Sequence, residues 1–208
     1  AGYVLRDPSR VTSNWRATRD LEDHLVAEGV VGICEVDTRA LTRHLREAGV
    51  MRAGIFSGDA LPEGADELRP AALAVLVDLV ARTPLMAGSD LAREVSTDTE
   101  YVLEPSGRFA GGEPVAEVVA VDLGIKSRTP FHLAERGARV RVVPQSVSPA
   151  ELLAARPDGV FFSNGPGDPA AATHEVVLLR AVLHPGLHSF ATRRANQILG
   201  RALGYGTY

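Results

Sequence analysis

The sequence predicts an α/β protein in two parts, an α+β part over residues 1–104 and a doubly wound parallel sheet from residue 117 onward. Three observations predict it. In the second part, four short apolar runs each lead into a stretch with helical periodicity, and four successive βα units imply a parallel sheet. In the first part, helix and strand patterns alternate without that rhythm. Between them, residues 105–116 carry Pro105, Gly107, Gly111, Gly112 and Pro114, the composition of a linker.

Taken in order, residues 1–14 read as extended and loop-like. Thr18 is a suitable N-cap for a helix whose Leu21, Leu25 and Val26 share one face and whose stop is Gly29. Residues 30–36 read as a strand. Asp37 or Thr38 caps a second helix, with Leu41, Leu45 and Ala48 on one stripe and Gly49 at its end. Residues 51–56 read as another short strand, 58–70 as a loop and 71–81 as an apolar helix. Ser89 is placed to cap a short helix over 90–95, and residues 99–104 resemble a strand. In the second part, strands over 118–123, 140–143, 160–162 and 187–190 alternate with helices over 127–136, 149–155 and 173–183, and another helix starts over 196–203.

Composition narrows the function classes. Lys plus Arg is 22 against 26 for Asp plus Glu, a net charge of -4, which gives no electrostatic case for nucleic acid or an anionic membrane. The longest apolar run, residues 71–77, falls far short of the ~18 residues of a membrane span. A single cysteine, Cys34, excludes an internal disulfide and points to a reducing, cytoplasmic setting. The opening Ala1-Gly2-Tyr3-Val4 has no initiator Met and no basic region before an apolar one, so a fragment without a signal peptide is expected.

The candidate site is residues 159–169. A buried apolar strand, Val160, Phe161 and Phe162, breaks into Ser163-Asn164-Gly165-Pro166-Gly167-Asp168-Pro169, which neither strand nor helix can continue. A loop leaving the carboxyl end of a strand in an open α/β sheet lies where ligands bind, and its glycines let backbone N–H groups approach a carbonyl or oxyanion. The histidines (His24, His44, His132, His174, His184, His188) show no metal-ligand spacing, and none is expected to hold a metal. Asp122 and Lys126, at the end of the first strand of the second part, read as structural.

These residues carry a resemblance. The Ser163–Pro169 motif, preceded by Val121-Asp122-Leu123-Gly124-Ile125-Lys126, resembles the small, glutamine-hydrolysing subunit of carbamoyl-phosphate synthetase, a class I glutamine amidotransferase. Ser13-Asn14-Trp15-Arg16, Asp37-Thr38-Arg39-Ala40-Leu41, Asp90 to Ser96 and Asn196-Gln197-Ile198-Leu199-Gly200-Arg201-Ala202-Leu203-Gly204 are similar to the same family in the same order. The resemblance implies that 1–104 is the later part of an incomplete amino-terminal domain. It likewise makes 105–116 a linker and 117–208 the first half of a truncated amidotransferase domain.

It further implies a cysteine thiolate attacking the side-chain amide of L-glutamine, with a histidine held by a glutamate far downstream. Ammonia leaves and the glutamyl thioester is hydrolysed. Gly165, Gly167, Arg194 and Gln197 are implied to line the glutamine pocket and oxyanion hole. No cofactor is implied in this chain; ATP and Mg belong to the partner large subunit, to which ammonia passes in a heterodimer serving pyrimidine and arginine biosynthesis.

The chain departs from that pattern at the nucleophile. Phe190-Ala191-Thr192-Arg193-Arg194-Ala195-Asn196-Gln197 stands where the family has Phe-Gly-Ile-Cys-x-Gly-(Asn/His)-Gln. Arg193 occupies the cysteine position, and a guanidinium stays protonated and is no nucleophile. Ala191 and Ala195 replace both glycines, which is expected to strain the turn. Gly32-Ile33-Cys34 echoes the family's Gly-Ile-Cys, but Glu35 and Val36 follow, and Cys34 is expected to be a small buried apolar residue. The chain itself is therefore expected not to hydrolyse glutamine. A non-catalytic homologue that binds or regulates the large subunit is the alternative, and a flavodoxin-like domain holding an anion on its Gly-Pro-Gly loop is a third reading. A sheet cut after its fourth βα unit is also expected to leave an apolar edge and a marginally stable chain.

Overall fold

The computed structural model describes residues 2–65, 67, 69–183 and 186–206, in two compact units, Ala1–Leu85 and Met86–Tyr208. The boundary falls earlier than the expected linker. Residues 105–116 lie inside the second unit, and residues 86–104 belong to it rather than to the amino-terminal part.

The first unit contains β1 (Gly2–Val4), α1 (Leu21–Ala27), β2 (Val31–Ile33), α2 (Thr38–Ala48) and α3 (Pro70–Arg82). β1 lies in a stretch expected to be loop and pairs in parallel with β2, Gly2 opposite Val31. Three residues are too few to show a period of two. Asp20, not Thr18, caps α1, accepting a hydrogen bond from the Asp23 N–H at 2.8 Å. Asp37 caps α2 through the N–H groups of Arg39 and Ala40. Residues 51–56 form no strand; instead Arg52 donates to the carbonyls of Ala81 and Thr83 at the end of α3. Cys34 follows β2 and is exposed, contrary to the buried position expected.

The second unit contains α4 (Ala92–Val95), β3 (Tyr101–Leu103), β4 (Ala116–Asp122), α5 (Arg128–Ala134), β5 (Ala138–Pro144), α6 (Pro149–Ala154), β6 (Gly159–Phe162), α7 (Thr173–Leu183), β7 (His188–Ala191) and α8 (Arg194–Ala202). Among the described residues they build a five-stranded sheet in the order β3-β5-β4-β6-β7. β4 to β7 run parallel, and β3 closes one edge antiparallel to β5, which is why residues 101–103 belong here. Ser89 does not cap α4, which starts at Ala92; its hydroxyl donates to the Met86 carbonyl. Ser148 does cap α6, in a reciprocal box with Glu151.

Both faces of the sheet are covered, so its central strand β4 is apolar on consecutive positions rather than alternate ones. Val119, Val121, Val143, Val160 and Phe162 pack on one face against Leu152, Leu178, Leu179, Val182 and Ile198 of α6, α7 and α8. Ala120, Val140 and Val142 pack on the other against Ala134 of α5. The fold is thus doubly wound, as the alternating pattern predicted. At the β7 edge, Phe190 is exposed and stacks on Phe161 with centroids 6.0 Å apart. Among the described residues no helix is long and apolar enough to cross a membrane.

Candidate functional site

Strand order reverses at β4. The connection through α5 leads to β5 on one side, whereas β6 and then β7 lie on the other. The crevice of a doubly wound sheet opens at such a reversal, outside the carboxyl ends of the strands. Two side chains join the loops there. Ser163 accepts from the Leu123 N–H at 2.9 Å, and Asn164 Nδ2 donates to the Gly124 carbonyl at 3.2 Å. Asp122 is buried and structural, accepting from the N–H groups of Gly124, Ile125 and Thr97. Lys126 is exposed.

The two glycines of the loop are demanded by backbone packing. A Cβ on Gly165 would lie 1.9 Å from the Leu123 carbonyl oxygen, closer than any atom pair tolerates. Gly167 has φ +95°, and a Cβ there would meet the Ser89 carbonyl at 2.8 Å. Asp168 finishes the loop. Its carboxylate accepts from the N–H groups of Gly88 at 2.8 Å and Ala170 at 2.7 Å, and these bonds, Gly88's first, hold its pKa below the usual aspartate value.

Beside this loop a second turn leaves the same end of the sheet. Ala191, the last residue of β7, is paired with Phe162, the last of β6, and Thr192 N–H reaches the Phe162 carbonyl at 3.3 Å. One residue later the chain reverses into α8 through Arg193, at φ 51° and ψ -114°. A non-glycine residue with such angles is strained, and a strained strand-to-helix turn is how a nucleophile is presented above an α/β sheet. The turn is sharp although Ala191 and Ala195 stand where the resemblance implies glycines. Ala191 is half-buried and Ala195 wholly buried in the core, and neither has a positive φ. The strain expected at the alanines is concentrated at Arg193.

The other expected residues divide. Arg193 is exposed at the turn. Gln197 is exposed one helical turn further on, its N–H bonded to the Arg193 carbonyl. The Arg194 side chain does not face solvent. It is 7% exposed, points to the wholly buried Glu175 with Nη1 at 3.8 Å from Oε1, and donates through Nη2 to the Asp168 carbonyl at 3.2 Å. Only its backbone can line a pocket. His184 lies outside the described residues. Sequence reasoning missed Glu175 and Arg201, whose partners are remote in the chain; Arg201 donates to the carbonyls of Pro169 and Ala170 at 2.6 and 2.9 Å.

Residues 1–55 match the family model of the carbamoyl-phosphate synthase small chain, CPSase domain, and residues 119–208 match that of class-I glutamine amidotransferase. Over its whole length the chain is 55% identical to the carbamoyl phosphate synthase small chain of Bifidobacterium longum (strain NCC 2705), covering 51% of that protein. It is 53% identical to that of Streptomyces coelicolor, again covering 51%, and 50% identical to that of Mycobacterium tuberculosis (strain H37Rv), covering 52%. The chain thus spans about half the length of the curated relatives it matches. With the amidotransferase match falling on the loop and turn just described, the chain is similar along its whole length to carbamoyl phosphate synthase small chains.

Proposed function

We propose that this chain belongs to the glutamine-hydrolysing small subunit of carbamoyl phosphate synthase, that its crevice binds L-glutamine, and that Arg193 prevents it from cleaving the amide. The observation that carries the reading is the juxtaposition of two turns on neighbouring strand ends: the Gly165–Gly167 loop after β6 and the strained Arg193 turn after β7. Together they offer backbone N–H groups of Gly165, Gly167 and Arg194 and the Gln197 amide, a donor set that fits the carbonyl oxygen of a side-chain amide.

Hydrolysis requires a nucleophile to bond the amide carbon, expel ammonia and then surrender the acyl group to water. The position geometrically suited to that attack is Arg193. Its protonated guanidinium has no lone pair to give at neutral pH. The first half-reaction therefore has no attacking atom, whereas the binding surface, largely backbone, is kept. In a working relative the released ammonia would pass to a cytoplasmic large subunit that uses ATP and Mg to make carbamoyl phosphate for pyrimidine and arginine synthesis.

A second reading, a non-catalytic subunit retained as a binding or regulatory partner of the large subunit, is favoured by the way the altered turn is accommodated. Ala195 is in the core and Arg194 has a buried acidic neighbour. Calorimetric titration of L-glutamine into the chain, with ammonia assayed in the same cell, tests the proposal. Saturable binding weakened about tenfold by Gln197→Ala, without ammonia, is expected. No binding would remove glutamine as the ligand, and ammonia above the blank would remove the assigned role of Arg193.

A further inference from the structure

We infer that Arg201 is a positioning residue, which with Arg194 makes α8 a clamp that holds the Gly165–Gly167 loop in register with the Arg193 turn; its bearing on glutamine rests on the function proposed above. Arg194 and Arg201 are seven residues apart, two turns along one face of the helix. Their guanidinium groups donate to the carbonyls of three consecutive residues: Arg194 to Asp168 at 3.2 Å, and Arg201 to Pro169 at 2.6 Å and Ala170 at 2.9 Å. Within the turn the Asp168 carboxylate accepts from the Ala170 N–H, and toward residues 88–89 it accepts from the Gly88 N–H while the Asp168 N–H donates to the Ser89 carbonyl at 3.0 Å.

The turn that closes the loop is therefore fixed between α8 and residues 88–89. This matters because the loop and the Arg193 turn belong to different strands and must hold their N–H groups at one spacing to share an oxygen. β6 and β7 fix their stems but not the segment beyond Phe162. The Arg201 guanidinium, half-buried and charged, connects the helix to that segment through two carbonyls. Charge-assisted bonds of this kind are the stronger class of hydrogen bond.

Amide hydrogen exchange on the full 208-residue chain, with and without glutamine, tests this. In Arg201→Met, exchange at Asp168, Ala170, Ala171 and Ala172 should rise about tenfold or more, while Val119, Ala120 and Val121 stay within about twofold. Glutamine affinity should fall about tenfold. Arg201→Lys, which keeps one charged donor, should recover most of both. Unchanged exchange at 168–172 in Arg201→Met overturns the clamp whether or not glutamine binds. If the unaltered chain fails to bind glutamine, the proposed function fails while the exchange still decides the clamp. Should Arg201→Met not fold, Arg201→Lys is measured against Arg201→Gln, and equal exchange at 168–172 in the two contradicts the clamp.

Discussion

Phe162, Leu178, Leu179 and Ile198 are wholly buried in the second unit, whereas in the first the buried apolar side chains among the described residues are Ala65 and Ala72. Both units contain amphipathic helices with sound caps. α2 has its Asp37 cap and an apolar stripe, yet Leu41 and Leu45 on that stripe are 40% and 39% exposed. Local signals suffice to form a helix, but tertiary burial supplies most of its stability. The second unit places its apolar runs on strands whose two faces both meet helices; among its described residues the first has two three-residue strands and no such sandwich.

The largest expected effect sharpens this contrast. Phe162→Ala should lower unfolding free energy by about 3–5 kcal/mol, and Leu45→Ala by about 0.5 kcal/mol or less, in urea titrations. Equal costs would break the comparison. Next, Arg194→Met leaves the Glu175 carboxylate buried without its cationic neighbour and should cost about 3 kcal/mol. Replacing both, Arg194→Met with Glu175→Leu, should return stability to within about 1 kcal/mol of the parent. A double variant as unstable as the single one would show that the pair is not what links α7 to α8.

Gly165→Ala should cost about 2 kcal/mol through its clash with the Leu123 carbonyl. Gly29→Ala, at a positive φ with nothing near the added Cβ, should cost about 1 kcal/mol. The smallest effect concerns pH. Because the folded Asp168 pKa lies below its unfolded value, its contribution is complete above about pH 4 and is lost as pH falls through the folded pKa. Exchange at Gly88 and Ala170 should therefore accelerate selectively on acidification below pH ~4; a rise confined to higher pH would contradict the assignment.

Much of the second unit was legible because consecutive valines in β4 and β5, punctuated by glycine and proline, leave few alternatives. The span of α7 agrees with its sequence pattern to the residue. Residues 101–103 read correctly as a strand but were assigned to the wrong unit. Their partner, Val140 to Val142, is remote in the chain, and no local pattern encodes an antiparallel edge. Residues 51–56 misled because a short apolar run does not reveal whether a ladder exists. At the site, the Gly165–Gly167 loop is readable from composition, whereas the turn at Arg193 is located only through the family resemblance. The inward course of Arg194 and the reach of Arg201 are not readable, since their acceptors are carbonyls brought near only by the fold.

We propose that Arg193 leaves the crevice without the atom that attacks the amide. This is tested most directly by ammonia release from L-glutamine by the intact gene product, as it stands and as Arg193→Cys, each supplied with the large subunit. None is expected from the first and steady release from the second, because neither Ala191 nor Ala195 is held at a positive φ. Release from the protein carrying Arg193, or none from a folded Arg193→Cys variant, would contradict it.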